Sequence, residues 1–186
     1  KIDFDFKKTH AEILDFMYER FKSYMKEKGI RNDIIESSVS TYNIDDILKV
    51  YKKALTLNKF ISKELGTDLI FSYKRASNIL ESFSDKLELE ELGSVDPGLF
   101  KNNFEKNLFE KIHEIKKDFS SIIKEDDNYS LLQSLASSKK EVTEFFDNVV
   151  VNDKDQIIKK NRLELLQMLC KTFDNYLNFS KVESVK

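Results

Sequence analysis

Two short stretches hold the residue types best suited to grip another molecule. The first is Tyr73-Lys74-Arg75, followed by Asn78. Lys74 and Asn78 are four residues apart and share a helix face, with Arg75 as their neighbour. A cation, a guanidinium and an amide within about one turn suit unpaired nucleobases, which proteins read by stacking and by hydrogen bonds to exposed edges. Arginine fits that task because its planar fork can bond two acceptors and can also stack. The same side chains suit an internal role equally well: Arg75 or Asn78 can pin neighbouring helices, and Tyr73 can belong to the core. The second stretch is Lys159-Lys160-Asn161-Arg162. Between 154 and 171 it adds Lys154 and Lys171 and is opposed only by Asp155 and Glu164, a net charge of +3. It is the most basic short stretch in the chain, either an electrostatic footprint for a nucleic-acid stem or a solvated helix face. Asp147, after Phe145-Phe146, can accept from a cytosine amino group, cap the last helix or pair with Arg162. Lys101, Lys106 and Lys111 recur every five residues; at about 100° per residue that spacing holds no single face, so they read as solubilising.

Other chemistries find no residues to carry them. The two histidines, His10 and His113, fall on different predicted helices, and His113 lies in a highly charged one that suits a solvated or paired ring. Cys170 sits in an apolar run, where a free cysteine behaves as a small hydrophobe. Four dispersed glycines cannot build a phosphate loop. No catalytic residues, no metal site and no cofactor are therefore expected in this chain.

The elements that must position the two stretches are helical. Hydrophobic residues make up 40% and charged residues 34%, a balance that can build a core and argues against wholesale disorder. One proline and four glycines exclude a turn-dense β-sandwich, and one cysteine excludes a disulfide framework. No apolar run approaches the roughly 20 residues that span a bilayer, and no signal-peptide pattern opens the chain, so a cytoplasmic protein with no membrane partner is expected. A net charge of −2 excludes a generic polycation that holds nucleic acid by phosphate neutralisation alone, and DNA is not an expected partner. It leaves open a site that reads a few unpaired bases with aromatic faces and a handful of cations.

Apolar residues recur at spacings of three and four almost throughout. They predict a helix over 10–28, ended by Gly29; a short one capped by Asn32 or Asp33; a third opened by Asp45 or Asp46 and ended by Gly66; and a fourth capped by Thr67. An acidic connection over 82–93 follows, with Asp85, Glu88, Glu90 and Glu91. Asp96-Pro97 reads as a helix start, and the apolar pattern from there to about 123 fits one long helix or two with a kink. Shorter helices are predicted over 129–135 and 141–150, and a last one from Asp155 into the 170s. The expectation is an all-α helical bundle of about seven to nine helices. It forms one domain over 1–186, with N-terminal helices over 1–66 and a main bundle over 67–186 as possible subdivisions.

Several segments, in order, resemble a known family. Phe71-Ser72-Tyr73-Lys74-Arg75-Ala76-Ser77-Asn78-Ile79-Leu80 resembles the Tyr-Lys-Arg-x-x-Asn-Ile-Leu helix near the C terminus of the bacterial heterotetrameric glycyl-tRNA synthetase beta subunit. Val95-Asp96-Pro97 with Leu99-Phe100, then Glu105 and Leu108, is similar to its next helix start. Phe145-Phe146-Asp147 with Val149-Val150-Val151, then Asn161-Arg162-Leu163 with Leu165-Leu166, is similar to its closing motif. Leu14-Asp15-Phe16 with Glu19-Arg20 looks like its opening helix, and Phe179-Ser180 like its last residues. One departure is visible: the family usually has methionines around the Val-x-Val run, where this chain has Val149-Val150-Val151-Asn152.

The resemblance implies an all-helical anticodon-binding domain of the kind shared with arginyl-tRNA synthetase and named for an Asp-Ala-Leu-Arg signature, which does not stand in this chain. It implies a non-catalytic role in a glycine–tRNA ligase, with the anticodon region of tRNA(Gly) as ligand. Both of the last two anticodon bases there are cytosines, because glycine codons begin GG. The implied protein partner is the alpha subunit in an alpha2beta2 assembly, where ATP, Mg²⁺ and glycine activation reside. The implied RNA-contacting residues are Tyr73, Lys74, Arg75, Asn78, Lys159, Lys160, Asn161 and Arg162. The competing expectation is a helical protein-interaction module without RNA binding. Two features discriminate: an RNA domain gathers the cations on one surface away from Glu88, Glu90 and Glu91, whereas an interaction module exposes an apolar groove.

Overall fold

A computed structural model of the chain describes residues 6–40, 46–83, 93–122 and 127–183. Among the described residues there are eight α-helices and no strand. They are α1 (Phe6–Glu27), α2 (Asn32–Val39), α3 (Ile47–Phe60), α4 (Glu64–Phe83), α5 (Asn103–Ile122), α6 (Asn128–Ala136), α7 (Lys139–Asn148) and α8 (Gln156–Asp174), with single 3-10 turns at Pro97–Leu99 and Phe179–Lys181. The all-α expectation holds, and the Val149–Val151 run forms no strand. Of the acidic connection expected over 82–93, residues 84–92, with Glu88, Glu90 and Glu91, lie outside the described residues.

Local chemistry sets most helix ends. Gly29 takes φ +77° beyond α1. Its N–H donates to Lys26 O and the Ile30 N–H to Met25 O, the paired bonds of a glycine-terminated helix. Asp46, Asp127 and Asp155 cap α3, α6 and α8 by accepting first-turn N–H groups.

Three expected boundaries are corrected. Arg31, not Asn32 or Asp33, precedes α2, and it makes no side-chain cap; Asp33 instead pairs with Arg31 and accepts the Glu183 N–H. Gly66 does not end α3: it lies in the first turn of α4, where a β-carbon would overlap the Ile61 and Phe60 backbone. Asp96-Pro97 opens only a 3-10 turn. The long helix starts later, where Asn102 accepts the Phe104 and Glu105 N–H groups and Glu105 reaches back to the N–H groups of Lys101 and Asn102. That reciprocal arrangement satisfies donors that a helix start would otherwise leave unpaired.

The centre of the bundle is the α4–α8 pair, backed by α5, α6 and α7. Tyr73 meets Phe173, while Phe83 meets Lys159, so the two helices run antiparallel. One continuous core extends from Met25 on α1 to Val182, with Phe60, Phe145, Phe173, Tyr176 and Phe179 fully buried. α1 departs from the expectation for an amphipathic helix. Met25 is buried, but Ile13, Phe16 and Met17 stay exposed on a stripe that no described element covers.

Candidate nucleic-acid interface

The apolar positions of α4 (Leu69, Tyr73, Ala76 and Leu80) bury one face of the helix. That packing turns the opposite face outward, with exposed Phe71 and Asn78 and half-exposed Lys74 and Arg75. Phe71 and Arg75 are four residues apart, and the Arg75 guanidinium lies 5.6 Å from the Phe71 ring centroid and 4.9 Å from that of Phe146 on α7. An N–H of Arg75 also reaches Asp147 Oδ1 at 3.4 Å. Guanidinium, two rings and a carboxylate thus meet at the α4–α7 edge. A pair this exposed contributes little to stability. It presents a flat cation, aromatic faces and an acceptor-only carboxylate within one small area, the set of contacts that reads an unpaired base. Lys74 leans the other way and donates to Ser180 O at 3.3 Å.

Tyr73 sits in the interior. Its ring packs against Phe173 and Phe179 at 5.8 and 5.6 Å between centroids, and its hydroxyl donates to Asp174 Oδ2 at 3.4 Å. Burial, and then the neighbouring Asp174 charge, push the phenol's pKa up. Burial likewise raises the Asp174 carboxyl, against the lowering effect of the Phe179 N–H it accepts. This tyrosine offers no free face for stacking.

Asn161 and Arg162 are also interior. Asn161 Oδ1 accepts the Asp96 N–H at 2.8 Å and its Nδ2 donates to Asp96 O at 3.1 Å, clamping the loop ahead of α5 against α8. Arg162 donates through Nε to Glu105 Oε1 at 2.5 Å, and through a terminal nitrogen to Val150 O at 2.9 Å and Asp153 Oδ2 at 2.6 Å. Glu105 is 1% exposed and uses its other oxygen to cap the start of α5. The N–H of Asp155, and then Arg162, hold the Asp153 carboxyl below the usual carboxylate range. Arg162 therefore ties α8, the start of α5 and the α7–α8 connection together, and its Nε and one terminal nitrogen are spent inside the fold. Asp147, one of the partners considered for Arg162, pairs with Arg75 instead.

Lys159 and Lys160 remain at the surface. Lys159 lies 4.5 Å from the Phe83 ring centroid and is half-exposed, and Lys160 is exposed. They stand by the end of α4, nine residues and roughly 14 Å along its axis from Lys74. The five outward residues fall into two groups along the α4–α8 pair rather than one cluster. Sequence reasoning missed Phe71 and Phe146. The spacing of Phe71 four residues before Arg75 was the available signal; nothing local could place Phe146 beside them.

Among the described residues no group of histidine, cysteine or acidic side chains is arranged to hold a metal, and no helix is long and apolar enough to cross a membrane.

The chain is similar to several known proteins. The glycine–tRNA ligase beta subunit of Rickettsia prowazekii (strain Madrid E) is 36% identical over 170 residues, 91% of this chain and 24% of that protein. The same subunit of Rickettsia typhi (strain ATCC VR-144 / Wilmington) is 35% identical over 175 residues, 94% of this chain and 25% of that protein. That of Ruegeria sp. (strain TM1040) is 28% identical over 173 residues, with 93% and 25% covered. The chain thus spans about a quarter of the length of these relatives. A family model described as the DALR anticodon binding domain matches residues 69–186, which hold α4 from Leu69 onward, α5 through α8 and both basic groups. With an all-helical fold and most of its length inside that match, the chain belongs to the DALR anticodon-binding domain family.

Proposed function

We propose that the chain is the tRNA-binding, anticodon-recognising domain of a glycine–tRNA ligase beta subunit. It contributes to the selection of tRNA(Gly) and carries no catalytic group. The observation that carries this reading is the outward face of α4 inside the family match, where exposed Phe71 and Asn78 and half-exposed Arg75 stand beside Phe146 and Asp147. Anticodon bases are unpaired and can be splayed onto such a face. Cytosine offers an amino donor for Asp147 and ring acceptors for Arg75 or Asn78, while Phe71 supplies a stacking surface. Lys74 on one side, and Lys159 and Lys160 beyond the end of α4, are placed to meet phosphates. With few cations in contact, binding is weak for the isolated chain and its salt dependence is shallow.

The same reading assigns ATP, Mg²⁺ and glycine activation to a separate alpha subunit in an alpha2beta2 enzyme of the cytoplasm, and no cofactor to this chain. It is supported by the names of the similar proteins, which are beta subunits of that ligase.

A second reading rests on α1. Its exposed Ile13, Phe16 and Met17 lie outside the family match and are the kind of surface that a protein partner covers. The two readings use different faces and are separable. Amide chemical shifts of the chain, followed while a tRNA(Gly) anticodon stem-loop is added, are expected to move along residues 71–82 and 156–160 and not along 13–17. Movement confined to α1, or none at all, would refute the anticodon reading.

A further inference from the structure

A cleft of about 360 Å³ opens between α5 and α8 on a surface that none of the expected residues occupies. Its size is at the small end of the roughly 300–1,000 Å³ typical of ligand clefts, enough for one nucleotide and too small for a stem. One side is α5, with Phe109, His113 and Lys116 at helical spacing; the other is α8, with Glu164, Gln167 and Lys171. The third wall is the loop 93–95, and α8 holds it at both ends. Glu164 Oε1 accepts the Gly93 N–H at 2.8 Å, and Asn161 takes both backbone groups of Asp96. The loop wall is therefore pinned to α8.

The lining has the parts a base needs. Phe109 and His113 lie 4.2 Å apart between ring centroids, and Phe100 braces Phe109 edge-on at 5.5 Å. His113 Nδ1 is 3.0 Å from Phe109 O, a carbonyl that can only accept, so that nitrogen carries a proton. Lys171 is steadied by Gln167 Oε1 at 2.9 Å. Lys116 is half-buried, and among the described residues its ammonium has neither an ion-pair nor a hydrogen-bond partner. Burial lowers its pKa below the usual lysine value. A desolvated cation without an acceptor is costly, and a ligand acceptor relieves that cost. Exposed Lys160 lies one turn before Glu164 on the same face of α8, where a flanking phosphate would sit.

We infer that this cleft receives one unpaired cytosine of the bound RNA, stacked at Phe109 and His113 and read by Glu164 and Lys116. The inference rests on the anticodon reading above and adds to it a place and a base edge. Gly93 occupies one oxygen of Glu164; the other can only accept, and it matches the cytosine N4 amino group. Lys116 and Lys171 can only donate, and they match N3 and O2. Uracil reverses two of these three positions: O4 faces the carboxylate and N3–H faces the ammonium. The cleft thus discriminates by unmatched polar groups as well as by attraction.

The test uses the whole chain and two RNA stem-loops, one with two adjacent loop cytosines and one with both replaced by uracil. The native chain should prefer the cytosine loop by about tenfold or more. Glu164→Gln keeps a carbonyl for Gly93 but turns the second acceptor into a donor, and it should narrow the difference between the two affinities. Lys116→Met removes no partner among the described residues and should weaken the cytosine loop more than the uracil loop. Arg75→Ala on α4 serves as the separate arm. If it weakens binding while Glu164→Gln and Lys116→Met leave the cytosine preference intact, the cleft inference is overturned and the anticodon reading stands. If the native chain binds neither loop, both fall.

Discussion

Replacing Arg162 by alanine should be among the most costly single changes in this fold, and the cost can be worked from its partners. The guanidinium is almost fully enclosed and serves Glu105 at the start of α5 and Val150 and Asp153 in the α7–α8 connection. Removing it leaves the Glu105 carboxylate, itself 1% exposed, buried without a counter-charge. Breaking a buried pair from one side costs about 3–5 kcal/mol. In a chain of this size each kcal/mol moves the melting point by about 2–4 °C, so a fall of roughly 6–20 °C is expected. Urea denaturation should show a lower midpoint with an unchanged slope. Arg162→Lys should recover only part of the loss, because a single ammonium cannot reproduce the fork that meets several acceptors. Arg162→Met combined with Glu105→Gln removes both charges and keeps an acceptor for the start of α5. It should restore most of the stability, since exchanging a buried pair for neutral groups is often nearly neutral. The double variant should also bind RNA as the native chain does. An alanine variant that melts with the native chain, or a stable variant that has lost RNA binding, would refute the assignment of Arg162 to the interior.

Two further outcomes follow from the packing. Gly66→Ala places a β-carbon against the backbone of Phe60 and Ile61, which cannot yield as a side chain can. It should cost about 1–3 kcal/mol or more in chemical denaturation, outweighing alanine's helix preference of roughly 1 kcal/mol; a variant as stable as the native chain would contradict the close approach. Burial pushes the Cys170 thiol up to about 12, so iodoacetamide should react slowly with the folded chain at pH 8 and rapidly in urea. The unfolded thiol ionises first as pH rises, so stability should fall from about pH 9 towards pH 12. Equal alkylation rates with and without urea would refute the burial.

Where the sequence was legible, the signal was local and repeated. The last helix could be read from Asp155 onward because a cap and a long apolar stripe agree. The start of α5 was misread because two valid start signals stand close together. Asp96-Pro97 and Asn102 with Glu105 both look right locally, and only the Asn161 clamp and the Arg162–Glu105 pair, contacts distant in sequence, decide between them. Gly66 reads as a helix stop for the same reason, since close backbone approach leaves no periodic trace. The site shows the same division. Spacing puts Lys74 and Asn78 on one helix face with Arg75 beside them but leaves an internal role open, and the packing of α4 turns them outward. Arg162 looked like surface charge because a charged helix residue usually is, and its buried partner Glu105 is 57 residues away. The cleft lining was invisible for a related reason: His113 and Lys116 belong to a charged helix and gain meaning only when α8 stands opposite.

The central claim, that this chain reads unpaired anticodon bases, is tested most directly by titrating the native chain at low salt. The ligands are a tRNA(Gly) anticodon stem-loop and the same loop with its two cytosines changed to uracil. The account expects clear preference for the cytosine loop, with an affinity that declines only gently as salt is added. Equal binding to both loops would reduce the interface to backbone contact. Binding to neither would contradict the account and leave the exposed face of α1 as the surface to pursue.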